Sequence, residues 1–185
     1  MLGLLAAVVL TVEKYALDAD PAYRPTCSIN PVLSCGSVMA TPQASVFGFP
    51  NSLIGVVGFA VLAATGAALL AGARLPRWYW AGLGIGVLFG VVFVHWLIAQ
   101  SLYRIGALCP YCMLVWVVTI PLFWYVTLRN LHALAPRLPD PIQHVAHAAG
   151  KGHGILLTLW FVAVVTLILQ RFWDFWDFWV AAVPT

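Results

Sequence analysis

Four cysteines are the residues in this 185-residue chain whose type and spacing suit a definite chemistry: Cys27, Cys35, Cys109 and Cys112. Cys109-Pro110-Tyr111-Cys112 stands where a loop, Gly106-Ala107-Leu108, gives way to an apolar run. Proline favours the first helical position, because its missing N–H would have gone unpaired there. Cys109 is therefore expected at the N-cap, with Cys112 one turn in on the same face. The unpaired amides and dipole at a helix start favour a thiolate. A lowered thiol pKa makes a cysteine both a more populated nucleophile and a better leaving group. A bridge between cysteines this close closes a small loop and stabilises little through chain entropy. The pattern thus points to a redox-cycling dithiol ahead of an inert staple.

The second pair, Cys27 and Cys35, encloses Ser28-Ile29-Asn30-Pro31-Val32-Leu33-Ser34. By itself it reads as an ordinary loop disulfide in an exported segment. Two dithiols facing one compartment can also exchange through mixed disulfides, which makes a relay. Four cysteines allow three pairings, and spacing does not choose among them. Two non-redox readings compete: a membrane protein merely stapled by disulfides, and a thiolate site for zinc or another metal. Zinc sites pair two close ligand couples, and the seven-residue gap after Cys27 fits that poorly, so no metal site is assigned.

The elements that must carry these cysteines follow from composition. Hydrophobic residues make up 63% of the chain and charged residues 8%, against about one quarter charged in an ordinary soluble domain. So few charges cannot dress a water-facing surface, and the bilayer is the expected partner of most of it. A spanning helix takes about 20 apolar residues, and five stretches come near that: Met1–Leu17, Asn51–Ala73, Trp78–Leu102, Pro110–Leu128 and Gly154–Gln170. Backbone groups in hydrocarbon must be satisfied internally, so a single all-α integral membrane domain is predicted over residues 1–185. The first stretch lacks a basic start and a small-residue cleavage site, and reads as a retained span rather than a signal peptide. That missing basic start also suggests a trimmed N-terminus.

Asp18–Pro50 is the long extramembrane loop, broken by Pro21, Pro25, Pro31 and Pro42. Arg74-Leu75-Pro76-Arg77 is a short basic connection of the kind found on the cytoplasmic side. Placing it inside puts Arg129, Arg137 and Lys151 inside too, and leaves Lys14, Arg24, Arg104 and Arg171 outside. All four cysteines then lie outside, where disulfides persist. A cell membrane with the thiol chemistry at its extracytoplasmic face is the expected location. Residues 129–153 read as a second loop, with His144 and His147 solvated, and the aromatic run Phe172–Trp179 reads as an interfacial anchor. Gly82, Gly86 and Gly90, four apart, are expected at a close helix–helix contact, and His95 as a hydrogen bonder facing the bundle. The net charge of +3 is spread without a basic run, which argues against nucleic acid. No Ser-His-Asp set or phosphate-binding glycine loop stands out.

The ordered set of motifs resembles the vitamin K epoxide reductase family in its bacterial form. The resemblance rests on Glu13-Lys14 ending span one and on Cys27 through Cys35 with Gly36-Ser37-Val38-Met39. It continues with Phe47-Gly48-Phe49-Pro50-Asn51-Ser52 opening span two and with the CxxC opening span four. It implies a four-helix bundle around a quinone, an outer loop covering the pocket, and a fifth transmembrane helix. It implies that Cys27 meets a reduced thioredoxin-like protein, that Cys35 carries electrons to Cys109, and that Cys112 lies beside a quinone of menaquinone, ubiquinone or vitamin K type. Asn51 matches the family's quinone-bonding asparagine, although as a residue type it suits a helix cap equally well. Thr41 stands where a serine is common, and Trp116 where a tyrosine contacts quinone in some members; Val38 and Met39 would cover the pocket. Members of this kind reoxidise a protein that inserts disulfides into exported proteins, often one fused after span five. The sequence ends at Thr185 without such a domain, so a separate partner chain is expected. Reduction of a quinone epoxide by the same residues is the alternative within the family.

Overall fold

The computed structural model describes residues 1–20, 22–134 and 148–173. Among them the regular elements are helices: α1 (Leu2–Ala19), the short α2 (Cys35–Met39), α3 (Ser52–Leu70), α4 (Arg77–Gln100), α5 (Pro110–Leu134) and α6 (His153–Arg171). A 3₁₀ turn, Pro42–Ser45, follows α2, and a π turn, Ser101–Ile105, extends α4. Among the described residues, four helical segments are long and apolar enough to cross a bilayer: Ser52–Leu70, Arg77–Ile105, Pro110–Leu134 and His153–Arg171. The protein is therefore an all-α, multi-pass membrane protein. Helix α1 carries Glu13, Lys14 and Asp18 in its last two turns and packs on α3 and α5. Helix α5 runs on to Leu134, so residues 129–134 are helical where the sequence reading placed a loop. His144, His147, Arg137 and most of the aromatic tail lie outside the described residues.

Helices α1, α3, α5 and α4 form the bundle, with α1 against α3 and α5, and α5 against α4. The fourth side is different: α3 and α4 make few contacts, and an apolar cavity opens between them. Gly82 and Gly86 line it, and a Cβ added at either would meet nothing within 4 Å. This corrects the expectation of a tight glycine contact: lacking side chains, these positions widen a hollow instead of admitting a neighbouring backbone.

Polar groups pin the ends. At the Arg74 end the Arg129 guanidinium sits 3.3 Å from the centroid of the Trp80 ring, and Asn130 Nδ2 donates to Trp80 O at 2.9 Å. On the flank, α6 turns Ile155, Leu159, Val162 and Val165 outward, as a lipid-facing surface requires. It is tied to α4 where Trp160 Nε1 donates to His95 Nε2 (2.9 Å) and His95 Nδ1 meets Val91 O (2.8 Å). With Nε2 accepting, Nδ1 carries the proton. His95 thus bonds the fifth long helix, outside the bundle interior where it was expected. Arg171 Nε donates to Leu102 O at 2.9 Å, covering a carbonyl that the π turn leaves open.

Candidate active site

Both cysteine pairs come together at the end of the bundle opposite Arg74. Their approach is built from local chemistry. In the Cys27–Cys35 loop, Asn30 Oδ1 accepts from Val32 N (3.0 Å) and Leu33 N (2.7 Å), an Asx turn that Pro31 pre-shapes. The chain then pairs with the segment before the CxxC. Leu108 N donates to Val32 O (2.7 Å), Ser34 N donates to Leu108 O (2.9 Å), and Leu33 and Leu108 form a single parallel bridge. Gly106, at φ +70° after the π turn, takes the left-handed conformation that brings residues 107–109 back to this bridge. Ser34 caps α2 by accepting from Ser37 N, which sets Cys35 at the first helical position. Cys109 O accepts from Met113 N at 3.0 Å, so Cys109 stands at the N-cap of α5.

The outcome is one bonded pair and one free pair. Cys27 and Cys35 form a disulfide, and Cys109 and Cys112 are thiols. Cys35 Sγ lies 3.0 Å from Cys109 Sγ, and the sulfurs of Cys27, Cys35 and Cys109 fall within 4.8 Å of one another. Cys35 and Cys109 are 0% and 1% exposed, so exchange between them would occur out of water. The Cys109 thiol is held below its usual range. A hydrogen bond from the Cys112 thiol does most of this, burial works against it, and the amides of Cys112 and Tyr111 add to the lowering. The helix start thus supplies the amides expected of it.

Cys112 is the cysteine of the four that lines the cavity. The cavity holds about 800 Å³, within the range of small-molecule sites. Val38, Met39, Thr41, Asn51 and Trp116 line it as well. Met39 and Trp116 are buried, and Thr41 turns its hydroxyl back to Val38 O at 2.7 Å. Asn51 makes no helix-cap bond. Its amide instead pins the loop above: Nδ2 donates to Gln43 O (2.6 Å) and Oδ1 accepts from Val46 N (3.2 Å). One amide hydrogen is left over, because –NH₂ has two to give. Apolar walls, a spare amide donor and a thiol at one end fit a quinone, whose ring is apolar and whose oxygens accept hydrogen bonds.

Glu13, near the end of α1, has a role that its place in the sequence does not reveal. It is 5% exposed and accepts from Thr26 Oγ1 (2.6 Å), Thr26 N (3.2 Å) and Tyr23 OH (3.1 Å). It therefore ties the segment leading into Cys27 to α1. Tyr23, donating to this carboxylate, has its phenol pKa raised. The available signal was an acid inside an apolar run, which deserves a functional suspicion by default.

These are the parts of an integral membrane protein equipped for thiol–disulfide exchange. The sequence matches the Vitamin K epoxide reductase family over residues 1–127, and the chain belongs to that family. It is an oxidoreductase, as membership implies. No match is found among curated proteins.

Proposed function

We propose that the protein oxidises a thioredoxin-like protein and delivers the electrons, through Cys27/Cys35 and Cys109/Cys112, to a membrane quinone. One observation carries the reading: Cys35 Sγ touches Cys109 Sγ at 3.0 Å, while Cys112, one turn further on, lines the apolar cavity. A partner thiolate attacks Cys27, its second thiol resolves the mixed disulfide, and Cys35 is released as a thiol. With Cys109 and Cys112 joined as a disulfide at that stage, the Cys35 thiolate attacks Cys109 and frees Cys112. Cys27 resolves the Cys35–Cys109 bond, and the electron pair rests on the Cys109/Cys112 dithiol until the quinone takes it and the Cys109–Cys112 bond closes again. Each exchange is thiolate attack on a disulfide. When bound, the quinone accepts two electrons and two protons and leaves as quinol. Asn51 would hold it by its spare amide hydrogen, with Trp116, Val38, Met39 and Thr41 excluding water around it. The cysteine end lies away from Arg74, Arg77 and Arg129, which supports an extracytoplasmic active site in the cell membrane.

The test is quinol formation by the purified protein, supplied with a reduced thioredoxin-like protein, for wild type and Cys112→Ala. Partner-dependent quinol production that vanishes in the variant is expected. No electron transfer from the intact protein, across several quinones and partners, would refute the proposal and favour a stapled or metal-binding membrane protein. The family's name supports a second substrate on the same residues, a quinone epoxide, and epoxide supplied to the reduced protein separates the two.

A further inference from the structure

Ser101 is a polar residue that the relay does not use. It follows α4 directly and opens the π turn, it is 4% exposed, and it lines the cavity with Cys112, Trp116 and Ile105. Its carbonyl accepts from Gly106 N at 3.0 Å. Its hydroxyl has no partner among the described residues. Several other helical hydroxyls are satisfied within their own helix. Thr11, Thr65, Thr119 and Thr166 each return the hydroxyl to the carbonyl four residues back, at 2.7–2.8 Å. This is how a hydroxyl is satisfied inside a membrane helix. Ser101 stands where the helix changes from α to π, a distortion concentrated at functional sites, and there the return bond is not made. The residue is buried, yet its hydroxyl is not one of the enclosed, unpaired polar atoms among the described residues; it borders the cavity, where a ligand can meet it.

We infer that the Ser101 hydroxyl is a second hydrogen-bonding contact for the quinone, serving the carbonyl that Asn51 does not. The inference rests on the quinone reading of the cavity. A 1,4-quinone carries two carbonyl oxygens on opposite edges of its ring, and a site with one donor would strip the second of water without replacement. The cavity wall is otherwise mostly apolar, and its other helical hydroxyls, Thr119, Ser52 and Tyr79, are engaged with Val115 O, Thr11 and Thr65. A hydroxyl also suits both redox forms. It donates to a quinone oxygen and accepts from a quinol O–H, so it retains the ligand through reduction without favouring either state.

The experiment is equilibrium binding of 2-methyl-1,4-naphthoquinone to detergent-purified protein by tryptophan quenching, with the ligand-free Tm measured alongside, for wild type and Ser101→Ala. The variant is expected to raise the Kd about three- to tenfold, the worth of one neutral hydrogen bond in a dry site. Its ligand-free Tm should hold, because the hydroxyl makes no hydrogen bond within the described protein that the substitution would remove. A Kd within twofold of wild type overturns the inference. So does a Tm lowered by more than about 3 °C, roughly 1 kcal/mol at this chain length, which would make the hydroxyl structural. Wild-type protein that binds no quinone would overturn the reading of the cavity itself, and the role of Ser101 with it. Quinone binding that Ser101→Ala leaves unchanged removes the serine alone.

Discussion

Replacing Glu13 by alanine should loosen Cys27 from α1 and speed its reduction by small thiols. The carboxylate accepts three hydrogen bonds, two from Thr26 and one from Tyr23. Bonds to a charged acceptor are worth about 1.5–3 kcal/mol each, which would sum to roughly 6 kcal/mol. That sum is too large, since Thr26 is exposed and Tyr23 half-buried, so their freed donors turn to water. Removing the carboxylate also relieves its own desolvation. A net loss of about 2 kcal/mol remains, mostly from the Thr26 amide and the tether it provides. Cys27 is 6% exposed, so attack on it requires its segment to open. If opening becomes about 2 kcal/mol easier, reduction of the Cys27–Cys35 bond by glutathione should quicken roughly 30-fold. The Leu33–Leu108 bridge is independent of Glu13, and Cys35 should stay beside Cys109. The assay is the pseudo-first-order rate of disulfide reduction in excess glutathione, read by mass-tagging of Cys27 on Cys109→Ala/Cys112→Ala backgrounds that remove internal exchange. Glu13→Gln, which keeps an acceptor oxygen but not the charge, should fall between. A Glu13→Ala rate within threefold of wild type would refute the argument that this carboxylate holds Cys27 closed.

Three further outcomes are expected. Tyr23 has a raised phenol pKa through its bond to Glu13, so its contribution to stability is complete below the ordinary tyrosine pKa of about 10 and lost as pH rises through the folded value. Tyr23→Phe should therefore lower the Tm at pH 8 and converge on wild type in strongly alkaline buffer; a constant difference across that range would contradict the bond. Cys112→Ala removes the resolving thiol, so Cys109 attack on Cys35 should accumulate a Cys35–Cys109 disulfide with Cys27 free, identified by mass mapping of cross-linked peptides. If only Cys27–Cys35 is recovered, the 3.0 Å contact is not a route of exchange. Gly86→Leu places its side chain in open space, so the Tm should be little changed while quinone binding weakens at least tenfold, the scale on which one filled subsite discriminates. A Tm fall of many degrees with binding intact would restore the close-packing reading of the glycines.

Much of the architecture was legible in composition alone. With 8% charged residues and backbone groups that hydrocarbon does not solvate, a set of helices was the available solution. The placement of Cys109 at a helix start was likewise local, decided by Pro110 and the loop before it, and the family's ordered motifs were readable one by one. The inward faces of the helices were not legible. In a soluble helix the apolar stripe marks the core, but here lipid and core are equally apolar, so periodicity does not tell a packed glycine from one that borders a cavity. For that reason Gly82 and Gly86 border a cavity where a close contact was expected, and His95 bonds α6 where it was expected to face the bundle.

The sequence by itself determined the solvent this protein lives in, the helices that follow from it, and the thiol chemistry available at the start of α5. The tertiary structure alone decided that Cys27 pairs with Cys35, that Cys35 reaches Cys109 across 74 residues, that Glu13 leashes Cys27, and that the Ser101 hydroxyl faces the cavity without a partner among the described residues. The physical reason is range. A helix cap or a hydrophobic run is settled by neighbours a few residues away, whereas each of these contacts joins segments whose separation is closed only by packing: the Val32–Leu108 bonds, the bundle around α5, and the hollow that α3 and α4 leave between them.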